Sequence, residues 1–332
     1  MNHFQPDFAA AVISRDAGLD PDDPASPFEL LLAGRRAGSR GALLTIVNIE
    51  GGAPRAVGTH MAVLDDGRFC GYVSGGCVEP AVAAEALNVL RSGHDEVLRF
   101  GLKSRFFDIQ LPCGGGIDVH VHIRPSPDMV SRALTNLRSR RAFGIALNPA
   151  KGIASIVGPD TPADGRAFIR RYRPATRLVL IGQGNELAVM ASVARAGGIE
   201  TAAYAAGGAA MDAATRVSTP IAQISAFDAN AMAIDPWTAV VFLFHDHAQE
   251  TELLKAVLKS PAFYVGALGS RRTHSQRTAR LLEAGVPHSA IDKIRAPIGL
   301  IERTREAMPL AFSVLADITR ERMLIEAESP SA

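Results

Sequence analysis

From residue 177 onward, short and almost continuously apolar runs alternate with longer segments of helical spacing. The stretch RLVLIGQGNELAVMASVARAGGIETAAYA predicts a strand, a glycine turn, a helix and a second strand. Two more strand–turn–helix units follow, at TAVVFLFHDHAQETELLKAVLKS and at PAFYVGALGSRRTHSQRTARLLEAG. Because neighbouring parallel strands need a crossover, usually a helix, this alternation predicts an α/β fold with a Rossmann-like doubly wound parallel sheet.

The first half of the chain has a different pattern, which predicts a mixed α/β domain. Residues 41–50 are nearly all apolar, as in a buried strand. Residues 60–74 predict a hairpin around Asp66-Gly67, and helices are predicted at 76–92 and 126–141. Residues 159–176, rich in Pro, Asp, Gly and Arg, are interpreted as a linker. The expected domains are a lead-in at 1–27, the mixed α/β domain at 28–173, the Rossmann-like domain at 174–325 and a tail at 326–332.

Composition excludes several classes of function. The 332 residues carry 35 Lys+Arg and 34 Asp+Glu, a net charge of +1, so no electrostatic footprint for nucleic acid or an acidic membrane is present. No apolar run of about 18 residues predicts a membrane span, and no signal-peptide pattern is visible. Three cysteines are too few for a secreted disulfide framework, so we expect a cytoplasmic protein.

The segment VSGGCVEP, residues 73–80, leaves a predicted strand and opens a predicted helix. Ser74, Gly75 and Gly76 could turn their backbone N–H groups toward an anion. A helix N-terminus would favour a thiolate at Cys77. Glu79 could cap the same turn, or act as an acid or base. The alternative is a helix-capping turn that contains a buried, inert thiol.

A second glycine-rich cysteine segment, LPCGGGIDV, follows at 111–119. Cys113 lies between Pro112 and Gly114-Gly115, in a stretch that can bring backbone amides close to a ligand. Neither Cys77 nor Cys113 belongs to a C-x-x-C pair, and no zinc site of standard spacing is visible. Cys70, inside a hairpin strand, is predicted to be a small core residue.

His120 and His122 alternate along the strand DVHVHI and therefore share one face. The favoured interpretation is that both are exposed residues of a half-buried strand, because a zinc site would need further ligands nearby.

The turn Gly182-Gln183-Gly184 sits between a strand and a helix, where a nucleotide pyrophosphate would meet the helix N-terminus. Leu187 occupies the third glycine position of the dinucleotide fingerprint, and TAAYAAGG offers no acid for a ribose hydroxyl. Two interpretations remain open here: a site for some phosphate-bearing ligand, or a turn that only connects strand to helix.

Two further segments place polar groups after predicted strands. His245, Asp246 and His247 could bind a metal, shuttle protons or orient one another, or Asp246 could simply cap a helix between two solvated histidines. Gly269, Ser270, Arg271 and Arg272 suit a phosphate or another oxyanion at a helix N-terminus. Loops after parallel strands share one sheet edge, so we expect these segments and APIGLIERT to form a pocket.

Six segments follow one another along the chain: GGAPRAVGTHMAVLDDGRFCGYVSGGCVE, LPCGGGIDV, a strand–GxG–helix unit, HDHA, SPAFYVGALGSRR and APIGL. Taken together and in this order, they resemble the XdhC/CoxI family of xanthine dehydrogenase accessory factors. The resemblance covers roughly residues 28–322. It implies a molybdenum-cofactor chaperone that binds the pterin-based cofactor, aids its sulfuration by a cysteine desulfurase, and inserts it into a xanthine dehydrogenase-type apo-enzyme.

The resemblance also implies where the site lies. It places catalytic roles on Cys77, Glu79 and Cys113, with Cys77 as a candidate metal contact, since thiolates are soft ligands. The cofactor-binding positions it implies are Ser74, Gly75, Gly76, Gly114, Gly115, Gly182, Gly184, His245, Asp246, His247, Gly269, Ser270, Arg271 and Arg272. A homodimer is plausible for such an apolar chain. The alternative function is a nucleotide- or NAD(P)-dependent oxidoreductase that uses the Rossmann-like domain.

Overall fold

The computed structural model of the chain describes residues 13–76, 78–106, 111, 114–163, 165, 167–206, 212, 220–226, 228–229, 232–244, 250–301, 304 and 306–327. The chain divides into two compact units, one ending at Pro174 and the other beginning at Ala175.

The first unit combines strands with helices on both faces of its main sheet. The strands are β1 (Ser14–Arg15), β2 (Gly41–Glu50), β3 (His60–Leu64), β4 (Arg68–Gly71), β5 (Glu96–Gly101), β6 (Gly116–His122), β7 (Phe143–Asn148), β8 (Ile153–Val157) and β9 (Phe168–Tyr172). The helices are α1 (Ser26–Arg36), α2 (Glu79–Ser92), α3 (Pro127–Arg138) and a 3₁₀ turn, Pro149–Lys151.

Two sheets form this unit. The larger has the order β1-β4-β3-β2-β6-β5, and β1 pairs in parallel with β4 while the other pairs are antiparallel. The smaller is the antiparallel sheet β8-β7-β9. Strand β9 corrects the interpretation of 159–176 as a linker. Tyr172 is buried and its ring stacks 4.8 Å from that of Phe143, and polar flanks hid this short strand from the sequence pattern.

Both faces of the six-stranded sheet are covered. Ala42, Leu44 and Ile46 pack with helix α2 on one face. Leu43, on the other face, packs with α1, α3 and the small sheet. Because β2 is covered on both sides, its sequence is nearly all apolar.

The covered second face also holds the two histidines of β6. His122 pairs with Leu43 across the ladder, so it shares the face of that residue. His120 and His122 are 0% and 2% exposed. The prediction that both are exposed is therefore wrong. The alternation of β6 shows which residues share a face, but the layer that covers this face comes from distant elements.

The second unit alternates strands and helices. Its strands are β10 (Arg177–Gly182), β11 (Glu200–Ala205), β12 (Ala222–Gln223), β13 (Thr238–Leu243), β14 (Tyr264–Ala267) and β15 (Ile294–Arg295). Its helices are α4 (Gly184–Ala196), α5 (Glu250–Val257), α6 (Arg271–Glu283), α7 (His288–Ile291) and α8 (Ala307–Ala327), with a 3₁₀ turn at Ile224–Ala226.

The sheet of this unit is entirely parallel, with the order β12-β11-β10-β13-β14-β15. Helices α4 and α8 pack on one face, and α5, α6 and α7 pack on the other. Counted within the unit, the order is 3-2-1-4-5-6, the dinucleotide-binding Rossmann order, which confirms the predicted doubly wound fold. Within the described residues, no helix is both long and apolar enough to cross a membrane.

Candidate functional site

The loops that carry the two cysteine segments leave the same edge of the six-stranded sheet. Glu50, at the end of β2, pairs with Gly116 at the start of β6, and Met61, near the start of β3, pairs with Gly71 at the end of β4. Loops 51–59, 72–78 and 102–115 therefore emerge together, at what we call the N-terminal loop edge. Strands β4 and β6 are separated by two strands, roughly 14 Å from axis to axis.

Cys77 and Cys113 belong to two of these loops but lie outside the described residues, as does Pro112. Val73, Val78 and Leu111, which flank them, belong to one apolar cluster under helix α2. The two cysteine-bearing loops thus share a core as well as an edge.

The loop at 73–76 is organised by the carboxylate of Glu79. Its Oε1 accepts the backbone N–H groups of Val73, Ser74 and Gly75 at 3.0, 2.7 and 3.1 Å. Its Oε2 accepts the N–H of Gly76 at 2.9 Å. The predicted anion-binding arrangement of amides is therefore present, and the anion it holds is a side chain of the protein itself.

The state of Glu79 follows from these contacts. Burial alone would raise its pKa, but the hydrogen bonds from Ser74 and Val73 outweigh burial and hold the pKa below the ordinary value. A fully buried carboxylate that stays ionised and accepts this many hydrogen bonds caps the loop. Of the two predicted roles, capping is the one that this geometry describes.

The same contacts correct the predicted start of the helix, which is Glu79 rather than 76. Gly75 and Gly76 have φ angles of +97° and +115°, which a right-handed helix excludes. The hydroxyl of Ser74 is also engaged, because it bonds Glu79 and accepts the N–H of Val78 at 3.3 Å. Ser74 was predicted to bind the cofactor, and its side chain instead holds the loop together.

The predicted glycine positions differ in how much room surrounds them. Gly75 and Gly114 both have positive φ, and no atom of the described residues lies within 4 Å of where a Cβ would be. A Cβ on Gly115 would instead lie 1.9 Å from the carbonyl oxygen of Gly52, so this glycine allows two loops to touch. Gly75 and Gly114 are therefore the positions where a ligand can approach the backbone.

Two arginines that the sequence analysis missed lie beside this loop. The guanidinium groups of Arg15 and Arg55 are 4.7 and 4.9 Å from the ring centroid of Tyr72. Arg15 also donates to the Tyr72 hydroxyl at 2.9 Å, and Arg55 pairs with Asp22 at 2.7 Å. The segment GGAPR was a signal for Arg55, whereas nothing in the sequence indicated Arg15. Together they place positive charge next to residues 73–76, which suits an anionic ligand.

The loops of the Rossmann-like unit also gather at one edge. Since β10, β13, β14 and β15 run parallel, the turns that follow each of them lie at the carboxyl edge of this sheet. Strands β10 and β13 are neighbours at the point where the strand order reverses, the usual ligand crevice of such sheets. His245, Asp246 and His247 follow β13 and lie outside the described residues.

The glycine turn after β10 has a clear structural role. A Cβ on Gly182 would lie 2.3 Å from the carbonyl oxygen of Leu243, so a glycine is needed for the neighbouring strand to fit. Gly184 has φ of +82° and begins α4. Leu187 is fully buried against the sheet, where the dinucleotide fingerprint uses a third glycine for close packing of the helix.

The turn after β14 presents two exposed arginines. The hydroxyl of Ser270 accepts the N–H of Thr273 at 3.2 Å and so caps α6. Gly269 has φ of +133°, and the side chains of Arg271 and Arg272 are exposed. The hydroxyl of Ser270, which was predicted to bind an oxyanion, is therefore engaged in the helix cap. Arg271 and Arg272 remain exposed to solvent.

A buried ion pair that was not predicted from the sequence joins helix α6 to the start of α5. Arg277 of α6 donates to both carboxylate oxygens of Glu250 at 3.0 and 3.1 Å, and the two side chains are 2% and 1% exposed. Arg277 also donates to the carbonyl of Leu268 at 2.7 Å. It thus ties the start of α5 to the segment after β14.

Comparison with known families matches most of the chain. Residues 34–101 match the family model described as XdhC and CoxI family, and residues 178–318 match the one described as XdhC Rossmann domain.

Individual proteins are similar over almost the full length. The chain is 38% identical over 306 residues to the molybdenum cofactor insertion chaperone PaoD of Escherichia coli (strain K12), covering 91% of this chain and 88% of that protein. It is 24% identical to a probable xanthine dehydrogenase subunit of Bacillus subtilis (strain 168), covering 85% and 94%. A crystal structure of a xanthine dehydrogenase from Bacillus halodurans superposes with a TM-score of 0.62 at 21% identity, covering 92% and 98%, which supports the fold.

Proposed function

The chain belongs to the XdhC and CoxI family, and we propose that it binds the molybdenum cofactor as cargo and inserts it into a xanthine dehydrogenase-type molybdoenzyme. The observation that carries this proposal is the 38% identity, over 91% of the chain, to a molybdenum cofactor insertion chaperone. The finer part of the proposal is that the protein holds the cofactor while a cysteine desulfurase supplies sulfur to it.

The N-terminal loop edge supports the proposal chemically. A dithiolene–molybdenum cofactor presents a phosphate, a polar pterin and a soft metal centre. Arg15 and Arg55 supply positive charge beside loop 73–76. Gly75 and Gly114 leave the backbone open on the two cysteine-bearing loops. We propose that Cys77 or Cys113 contacts the metal or carries sulfur, because thiolates suit soft metals.

The experiment is to purify the full chain from a host that makes the cofactor and to measure molybdenum and pterin fluorescence on the same sample. Both should be present in the parent protein, and Cys77→Ala and Cys113→Ala should each lose most of them. Cys70→Ala is the matched control, because burial removes this thiol from solvent and raises its pKa to about 11.

The outcomes separate the two parts of the proposal. If the parent carries neither molybdenum nor pterin, the chaperone function is wrong. If it carries both and the two cysteine variants load equally well, the cysteines have no role in holding the cargo.

A second candidate function is a nucleotide- or NAD(P)-dependent oxidoreductase. It is favoured by the 3-2-1-4-5-6 strand order and by the glycine turn at its switch point. The buried Leu187 counts against the usual dinucleotide pose. Thermal unfolding with NAD, NADP, ATP or CTP tests it, since a ligand at 100 times its Kd adds about 2.7 kcal/mol of stability. No shift with any of the four would contradict this function.

A further inference from the structure

Three metal-ligating side chains converge in the first unit, away from the N-terminal loop edge. His120 and His122 lie on the covered face of β6, and Asp95 directly precedes β5. Because Glu96 pairs with Val121, Asp95 lies beside His122 in the ladder. Asp95 is thus brought to the two histidines from 25 and 27 residues away in sequence.

The carboxylate of Asp95 lies between the two rings. Its Oδ2 is 3.1 Å from Nε2 of His120 and 2.7 Å from Nδ1 of His122, and the three ligand atoms all lie within 4.8 Å of one another. Ligand atoms of a tetrahedral zinc site are roughly 3.3 Å apart, given metal–ligand bonds of about 2.0–2.1 Å. To reach this spacing, Oδ2 of Asp95 must move away from the His120 nitrogen by roughly 0.2 Å and from the His122 nitrogen by roughly 0.6 Å, while the two nitrogens stay within 4.8 Å of each other.

The second oxygen of the Asp95 carboxylate is also hydrogen-bonded. This oxygen, Oδ1, accepts the backbone N–H of Ile123 at 3.1 Å. Hydrogen bonds of this kind fix the orientation of ligating carboxylates in metal sites. Asp95 is therefore already positioned to present one oxygen to an ion.

Hydrogen bonding within the cluster leaves one buried atom unsatisfied. If both rings donate to Asp95, His120 must carry its proton on Nε2, and its Nδ1 then presents a lone pair. That Nδ1 is buried and has no hydrogen-bond partner among the residues that the structure describes. A metal ion bound at Nε2 would place the proton of His120 on Nδ1, on the other side of the ring, and would leave Nδ1 unsatisfied. The three converging ligand atoms, and not this unsatisfied atom, therefore indicate a metal site.

A glycine lies next to the carboxylate. Gly152, which follows the 3₁₀ turn with φ of +60°, has no side chain, and a Cβ there would be 3.6 Å from Oδ2 of Asp95. The side chain of Asp95 remains 7% exposed. Of the three side chains Asp95 is the most exposed, so a small ion would reach the cluster from the side of its carboxylate.

We propose that Asp95, His120 and His122 bind one divalent metal ion of the zinc type, through two neutral imidazole nitrogens and one carboxylate oxygen. This donor set suits zinc and neighbouring first-row metals. The site lies four to six residues along β6 from Gly116, roughly 13–20 Å from the N-terminal loop edge, so it is separate from the proposed cofactor site. An ion there would pin the segment before β5 to the end of β6.

The test uses the full chain with Cys77→Ala and Cys113→Ala introduced to remove competing thiolates. The protein is stripped with a chelator, dialysed and titrated with Zn²⁺ by calorimetry. One equivalent should bind per chain. His122→Asn should weaken binding about a hundredfold or more, since even supporting residues of metal sites are worth 10–100-fold. The control is His94→Asn, because His94 is exposed and adjacent to Asp95 in sequence.

Two further readouts keep the test independent of folding defects. Bound Co²⁺ should give the d–d absorption of a low-symmetry nitrogen and oxygen site, and Asp95→Asn should abolish it. Zn²⁺ should raise the Tm of the parent and leave that of His122→Asn unchanged, with circular dichroism of the metal-free variant confirming its fold.

Three results would overturn the proposal: no stoichiometric binding by the parent, equal affinity in His122→Asn, or loss of binding in His245→Asn/His247→Asn instead. None of these results depends on whether the molybdenum cofactor binds, so the metal site and the chaperone function fail separately.

Discussion

Ser74 approaches the carboxylate of Glu79 with both of its donors, the backbone N–H at 2.7 Å from Oε1 and the hydroxyl at 2.9 Å from Oε2. Three neighbouring amides join it, so an ionised side chain of the protein satisfies the whole turn before Cys77. The turn therefore keeps its shape without a ligand. Such preorganisation is what a loop needs if it must present a thiol in a fixed place.

The first prediction concerns Glu79→Gln. The substitution puts an amide NH₂ where a backbone N–H now donates, and it removes the charge that strengthens the remaining hydrogen bonds. We expect a loss of about 2–3 kcal/mol in the free energy of unfolding, measured by urea denaturation. The cofactor load measured on the same preparation should fall as well.

Glu85→Gln provides the matched control, because it makes the same chemical change on the same helix. Glu85 is partly exposed and contacts Asn88 at 3.3 Å. Glu85→Gln should change the free energy of unfolding by no more than about 0.5 kcal/mol, as for most surface substitutions. Equal effects of the two variants would show that Glu79 does not organise the loop.

The second prediction concerns pH and His60. This ring is 7% exposed, its Nδ1 lies 2.8 Å from the hydroxyl of Thr45, and it stacks on Tyr172. Burial, and secondly the charge of Arg170, lower the pKa of His60 to about 3. In the unfolded chain the pKa returns to about 6.5.

The sign of the effect follows from these two values. Between pH 6.5 and 3 the unfolded chain binds a proton that the folded protein excludes, so stability falls as the pH falls. The slope from this group is at most about 1.4 kcal/mol per pH unit. Urea denaturation at pH 7, 6 and 5 should show that the free energy of unfolding falls more steeply with falling pH for the parent than for His60→Gln. Parallel curves would mean that His60 is not held neutral.

The third prediction concerns the buried pair of Glu250 and Arg277. Arg277→Ala removes the guanidinium that pairs with the buried Glu250 and the hydrogen bond to the carbonyl of Leu268, so we expect a loss of about 3–5 kcal/mol in the free energy of unfolding. Glu250→Gln/Arg277→Met removes both charges and should recover part of that loss. Arg280→Ala, exposed on the same helix, should be nearly neutral. The pair has no structural role if Arg277→Ala behaves like Arg280→Ala.

Much of the architecture could be predicted from local pattern, because its causes are local. The alternation from residue 177 predicted the doubly wound sheet, and Asp66-Gly67 predicted the hairpin of β3 and β4. Strand β9 was missed, because five residues between polar flanks carry too little periodicity.

The site was harder to predict, because its contacts join distant or unusual positions. Capping by Glu79 was one of two roles that the sequence left open, but the sequence did not indicate that the capped turn would delay the start of α2 from residue 76 to Glu79. The burial of His120 depends on a layer built from α1, α3 and β7–β9, and its partner Asp95 precedes another strand. Contacts of this kind follow from tertiary packing, which the spacing of residues within one segment does not reveal.

The last prediction concerns the charge at the N-terminal loop edge. Arg15→Ala/Arg55→Ala should weaken retention of the cofactor about tenfold or more, because a hydrogen bond to a charged group contributes about 1.5–3 kcal/mol and 1.4 kcal/mol is a factor of ten. Arg40→Ala is the matched control. Arg40 pairs with Asp65 at the opposite edge of the same sheet, where β2 begins and β3 ends.

Pterin fluorescence titrations at low and high salt provide the measurement. Added salt should weaken binding by the parent more than binding by the double variant, since screening acts on the charges that the variant lacks. If Arg40→Ala reduces retention as much as the double variant does, the effect is one of net charge and the loop edge has no special role.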